Sequence, residues 1–225
     1  MPRGNFDHDI EKLIAKLIEM GRKVDEVAAN TITVLKKHDV ELARSVASSD
    51  DEIDAMEHRI EQRCMNLIAR QAPIARDLRV IAATLKIITD IERVADQCAD
   101  ICEIMANVDT VPNIKPMVEI PRMCELARDM FNRAVDAYLK KDVEAAKKVC
   151  EDDDQVDELF SHIILELSAL LTAGAQYVMA EVDLMFVTKY IERMADHATN
   201  IAEWTIYMVT GTHPDLNSGG SGLDL

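Results

Sequence analysis

The sequence predicts an all-α protein, a tandem duplication of a three-helix bundle with six long helices. Three observations predict it. Helix breakers are scarce: Gly174 is the one glycine between Arg22 and Thr210, and the prolines of that span are Pro73, Pro112, Pro116 and Pro121. Uninterrupted stretches of this kind read as long helices. The composition is 48% hydrophobic and 29% charged but only 4% aromatic, which suits helices better than a β-sandwich or barrel. Finally, the second half repeats the first.

The elements follow in order. A first helix runs from about Asp9 to Lys37, where Ile10, Leu13, Leu17, Met20, Val24, Val27, Thr31 and Val34 step alternately by three and four residues, a heptad seam. "KKHDVELARSV" carries the chain through a short break. A second helix starts near Ser48-Ser49-Asp50, residue types that cap helices, and ends before Pro73. A third runs from about Pro73 to Ala106. "KKDVEAAKKVCEDDDQVD" then repeats "KKHDVELARSVASSDDEID": Asp39-Val40-Glu41 matches Asp142-Val143-Glu144 at an offset of 103, as Asp50 to Asp54 match Asp153 to Asp157. "LKIITDIERVAD" matches "MFVTKYIERMAD" at an offset of 100, so the second copy is three residues shorter near its second turn. Met123, Ala127, Met130, Ala134 and Ala137 continue the first helix's seam in the second copy. The domains expected are a first bundle over 1–108, a linker over 109–117, a second bundle over 118–211 and a disordered tail over 212–225.

Charge narrows the function classes. The chain carries 25 basic and 41 acidic residues, a net charge of −16. A nucleic-acid binder shows a basic surface, and neither that nor a basic pocket is evident in the sequence. No apolar run approaches the roughly 20 residues of a membrane span, and "MPRGNFDHDIEKL" lacks a signal-peptide core. The five cysteines are odd in number and form no CxxC, which fits reduced thiols in a cytoplasmic protein. Cys98 and Cys102, one turn apart, could share a soft metal but read better as small core residues.

One feature resists the helix-core reading. On a wheel of about 100° per residue, Glu92 and Asp96 extend the apolar stripe of Leu78, Ile81 and Leu85 instead of joining Arg79, Lys86, Arg93 and Gln97. Across a hairpin turning at Pro73, Asp50 and Asp96 both lie 23 residues from the turn, and Asp54 and Glu92 both lie 19. In the second copy the pairs Asp153/Asp196 and Asp157/Glu192 both centre on the 174/175 step, beside Gly174. Two acidic pairs therefore face each other in each half. Four close carboxylates repel and raise one another's pKa, unless a proton or cation intervenes. Carboxylate-only sets suit hard ions such as Mg²⁺, Mn²⁺, Ca²⁺ or iron. With no ExxH or HExxH beside them, zinc and a ferritin-type di-iron site fit less well. The alternative is structural: Asp50 and Asp153 as helix N-caps, Glu92 and Glu192 in solvated pairs with Arg93 and Arg193. His197, where the first copy has Gln97, is a weak ligand candidate and reads better as a group behind the ligands or at the surface.

At "QAPIARDLRVIAATLKIITDIERVADQCADI", "DDEID", "DDQVD" and "YIERMADHATNIAEWTIYMVTG" the sequence resembles the PhoU family, regulators of bacterial phosphate uptake. The resemblance covers all but the tail. It implies two three-helix bundles, a homodimer, and metal binding by E/DxxxD motifs. These fall on Asp50, Asp54, Glu92 and Asp96, then on Asp153, Asp157, Glu192 and Asp196, with Asp100 and Asn200 one turn later. Iron, zinc, Mg²⁺ and Mn²⁺ are all implied as metals. The implied role is a cytoplasmic negative regulator that links the ATPase subunit of the phosphate ABC transporter to a sensor histidine kinase. Bound metal would offset the repulsion between an acidic face and anionic lipid and so allow peripheral membrane association. Two other readings compete: a metal-dependent phosphohydrolase, which lacks a nucleophile or a Gly-rich phosphate loop, and a purely structural helical interaction module.

Overall fold

The computed structural model describes residues 3–108, 116–172 and 177–212, and of residues 3–5, 7 and 50 the backbone alone. The expected linker as far as residue 115 and the tail beyond 212 lie outside the described residues. The described residues form helices joined by short connections: α1 (Arg3–Lys37), α2 (Val40–Ala47), α3 (Asp50–Gln71), α4 (Ala75–Asn107), α5 (Pro116–Lys140), α6 (Val143–Thr172) and α7 (Val178–Thr210). Six are the long helices predicted, and α2 is an additional short one.

The repeated "DVE" segments have a structural cause. α1 ends on His38 and α5 near Lys141, both with left-handed backbones, φ 51° and 57°. Asp39 Oδ1 then accepts the Leu42 amide at 3.0 Å, and Asp142 Oδ1 accepts the Ala145 amide at 3.0 Å. Each aspartate is thus the N-cap of the returning helix. From there the halves diverge. In the first half the Ser48 and Ser49 hydroxyls donate back to the carbonyls of Ser45 and Val46, at 3.1 and 2.7 Å. That back-bonding competes with the helix, and the chain breaks between α2 and α3. In the second half the same positions are Glu151 and Asp152, which pair with Lys148 in the preceding turn, and α6 runs through. The helix starts where Ser48-Ser49-Asp50 predicted it, with Ser49 at the N-cap position, but Ser49 makes no side-chain capping bond. Asp153 lies within α6, so an N-cap role does not explain it.

Each half is a bundle, α1 with α2, α3 and α4, and α5 with α6 and α7, and α1, α4, α5 and α7 pack together at the centre. One continuous apolar core fills both halves. Where α4 meets α7, small side chains on each, Ala95, Cys98, Ala195 and Ala198, are fully or almost fully buried. Cys98 lies 3.9 Å from Met194, while Asp90 reaches Asn200, so the two helices run antiparallel. α3 and α6 flank this centre, each packed on the helices of its own half. Cys98 and Cys102 belong to the core, where burial pushes their thiols up to about 12 and about 11.

Candidate metal centre

The α3–α4 hairpin has the register read from the sequence. Thr89 Oγ1 donates to Glu57 Oε1 at 3.2 Å, and both residues are 16 positions from Pro73. The second half repeats it, with the Lys189 ammonium 5.4 Å from the centre of the Phe160 ring. This register sets the acidic residues of one helix against those of the other.

In the first half, Asp54, Glu92 and Asp96 each bring a carboxylate oxygen within 4.8 Å of the other two. Glu92 and Asp96 are only 19% and 22% exposed; the wheel position beside the apolar stripe explains why. Asp54 Oδ1 is buried with no hydrogen-bond partner among the described residues. The nearby cation is Arg93, with Nε 3.5 Å from Glu92 and Nη1 3.0 Å from Asp96. It is half exposed and does not balance the cluster. Burial, then the Asp96 charge, push the Glu92 carboxyl up to about 7 against Arg93, with Asp54 and Glu57 adding to the rise. Glu57, which the sequence reading did not name, lies close enough for its charge to act on Glu92 but is not one of the three converging carboxylates; its place one turn after Asp54 was the available signal. The side chain of Asp50 lies outside the described residues.

In the second half, burial and then Asp157, Asp196 and Glu192 push the Asp153 carboxyl up to about 7. Asp157 and Asp196 are also raised, by burial first and by Glu192 second. This cluster has a lysine as its cation, half exposed as Arg93 is. Lys189 pairs with Glu192, and it stands where the first half has Thr89. Phe160 stands where the first half has Glu57. The two sites thus differ in charge.

Asn200 is not with the cluster. Its Nδ2 donates to Asp90 Oδ1 at 3.1 Å, across the boundary between the halves, and His197 Nδ1 lies 3.0 Å from the same oxygen. His197 is therefore a partly buried interface group, 17% exposed. Asp100 is half-buried one turn beyond Asp96.

The profile of the PhoU domain matches the chain twice, over residues 17–105 and 120–205. The chain belongs to the PhoU family. The "phosphate-specific transport system accessory protein PhoU homolog" of Clostridium acetobutylicum is 36% identical, over 96% of this chain and all of the relative. That of Aquifex aeolicus is 37% identical, over 90% of this chain and 92% of its own. The crystal structure of PhoU from Pseudomonas aeruginosa superposes with a TM-score of 0.89 at 28% identity, covering 92% of this chain and 100% of that one.

The first-half cluster has a donor set that could hold a metal ion. The donors are all oxygen, they converge from two helices, and a buried oxygen of Asp54 lacks a donor among the described residues. Hard divalent and trivalent cations take such sets. A different group occupies the flank of the second half: His162 lies between Glu119 of α5 and Glu166 of its own helix, at 3.3 and 3.5 Å.

Proposed function

We propose that the chain is a metal-binding regulator of phosphate uptake that acts by binding and not by turnover. In this reading it is a negative regulator of phosphate-starvation signalling. It couples the ATPase subunit of the phosphate ABC transporter to a sensor histidine kinase, as a cytoplasmic homodimer that can associate with the membrane peripherally. Its PhoU relatives, named as accessory proteins of phosphate-specific transport, support the place in phosphate uptake. The metal reading rests on one observation: the convergence of Asp54, Glu92 and Asp96 with a buried, undonated oxygen of Asp54.

Asp54, Glu92 and Asp96, with Glu57 beside them and Asp50 at the head of α3, would hold metal in the first half. Asp153, Asp157, Glu192 and Asp196 would hold it in the second. Iron, Mn²⁺, Mg²⁺ and zinc are the candidates, and oxygen ligands favour the harder ions. The bound ion would supply positive charge to an acidic face, which lets that face approach an anionic membrane or an acidic partner. Elemental analysis of the purified protein tests the site. Metal is expected in the wild type and a lower content in Glu92→Ala/Asp96→Ala; equal content in the two would overturn the assignment for the first half. Deletion in the cell is expected to release phosphate repression.

A further inference from the structure

The chain is acidic as a whole, yet one groove is basic. It runs between α1 and α3 on the flank of the first half, with its two parts sharing Arg63. The larger part, about 430 Å³, is lined by His8, Arg63, Asn66, Leu67 and Arg70 among others. The smaller, about 100 Å³, is lined by Lys16, Glu19, Arg59 and Arg63 among others. On a wheel of about 100° per residue, Arg59, Arg63, Asn66 and Arg70 fall within roughly 60° of one another, on one face of α3. The two carboxylates of the groove are occupied: Gln71 donates to Asp9 at 3.0 Å and Lys16 pairs with Glu19 at 2.7 Å.

Among the described residues Arg59, Arg63 and Arg70 make no close ion pair or hydrogen bond, and Arg59 acts on Glu19 only through its charge, after Lys16. In a chain with 41 acidic residues against 25 basic ones, three unpaired guanidiniums on one face need a reason. Arg70 has a structural one, since a cation in the last turn of α3 complements the helix dipole. Arg59 and Arg63 sit in the body of the helix, where that reason does not apply.

The duplication provides a comparison inside the same molecule. At the offset of 103, Lys16, Arg59 and Arg63 correspond to Glu119, His162 and Glu166. The second half thus has the same helices in the same arrangement with the charge reversed, and its three residues pair among themselves. The fold accepts either set, so packing does not dictate the arginines.

We propose that the α1–α3 groove binds a small anion carrying several linked phosphate groups. Guanidiniums grip phosphate oxygens through paired donors. Arg59 and Arg63 are about 6 Å apart along the axis and Arg59 and Arg70 about 16 Å, at 1.5 Å per residue. A lone phosphate spans the first gap at most, whereas a phosphate chain spans it and reaches toward the second. Leu67 and Asn66 line the wider part, where the organic portion of a nucleotide has room. Inorganic oligophosphate and a nucleoside triphosphate share this chemistry. The site is separate from the carboxylate clusters and does not rest on the metal reading.

The test is calorimetric titration of full-length protein, freed of metal with EDTA, against tripolyphosphate, ATP and orthophosphate at low salt. Saturable binding of tripolyphosphate or ATP is expected, at least tenfold tighter than orthophosphate, and weakening with added salt. Tighter ATP would assign a nucleotide; equal affinities would assign the phosphate chain alone. Arg59→His/Arg63→Glu installs the second half's own residues and is expected to weaken binding at least tenfold; Arg70→Gln serves as a milder second variant. Glu92→Ala/Asp96→Ala should bind as the wild type does, which separates this site from any metal-bridged one. Three results would overturn the proposal: no binding of either triphosphate, binding that both arginine variants leave unchanged, or binding only to phosphatidylglycerol vesicles.

Discussion

Lys189 and Thr89 occupy equivalent positions, and they make the two carboxylate clusters chemically unequal. The Lys189 ammonium pairs with Glu192, holding a positive charge where a metal would otherwise provide it. Thr89 adds no charge to the first-half cluster, where, among the described residues, the half-exposed Arg93 pairs with Glu92 and Asp96. Lys189→Thr should therefore raise divalent-metal affinity in the second half by about tenfold, the order expected of one nearby charge. Metal titration followed by calorimetry, in a Glu92→Ala/Asp96→Ala background, isolates that site; an unchanged affinity would count against Lys189 as a built-in cation. At this scale the sequence was legible where periodicity governs. Equal distances from Pro73 placed Asp54 and Glu92 together because an antiparallel hairpin conserves register. The partner of Asn200 was not legible. It is Asp90 on another helix of the other half, and the contact depends on how α4 crosses α7, which no local pattern encodes.

Between elements, α1 and α5 are joined by a polar clasp. Arg128 donates to both oxygens of Asp25, at 2.7 and 3.0 Å, and Asn132 donates to Asp25 at 2.6 Å. The Arg128 guanidinium holds the Asp25 carboxyl below its usual range, against the opposing effect of burial. A carboxyl depressed in the folded state stabilises fully above its unfolded value of about 3.9, and the contribution is lost as pH falls below that. Because both partners are about one-third exposed, solvent screening limits the clasp to about 1 kcal/mol. Asp25→Asn should lower Tm by about 2–4 °C at pH 7, and the gap should narrow toward pH 3. A gap that stays constant with pH would show that the ionised pair contributes nothing. The heptad seam predicted α1 well. The split between α2 and α3 was visible as a serine pair, but which bonds the hydroxyls make was not, because capping and back-bonding to the preceding turn draw on the same residue types.

The two halves share one apolar core. α1 and α4 pack against α5 and α7 as well as against each other. Residues such as Val94, Ala95, Cys98 and Ile101 are buried in the full chain. A fragment of residues 1–108 would expose much of that surface to water, and apolar burial is the main force holding helices in place. Full-length protein should unfold in one cooperative transition, while the fragment should show reduced helicity by circular dichroism or self-associate in sizing experiments. A monomeric, fully helical fragment would refute the shared core. Repeats in the sequence made the duplication plain, but they describe each copy alone. How the copies join is set by small residues such as Ala95 and Ala195, whose value lies in letting backbones approach and which leave little trace in a hydropathy pattern.

The Asp90 contact carries an evolutionary consequence. A chimera built from two first halves would place aspartate at position 200 and glutamine at position 197, opposite Asp90. Two carboxylates would then meet where an amide and an imidazole now close the joint. The duplicated units have become left and right shoes, and the polar joint between them now opposes any recombination that would swap one for the other.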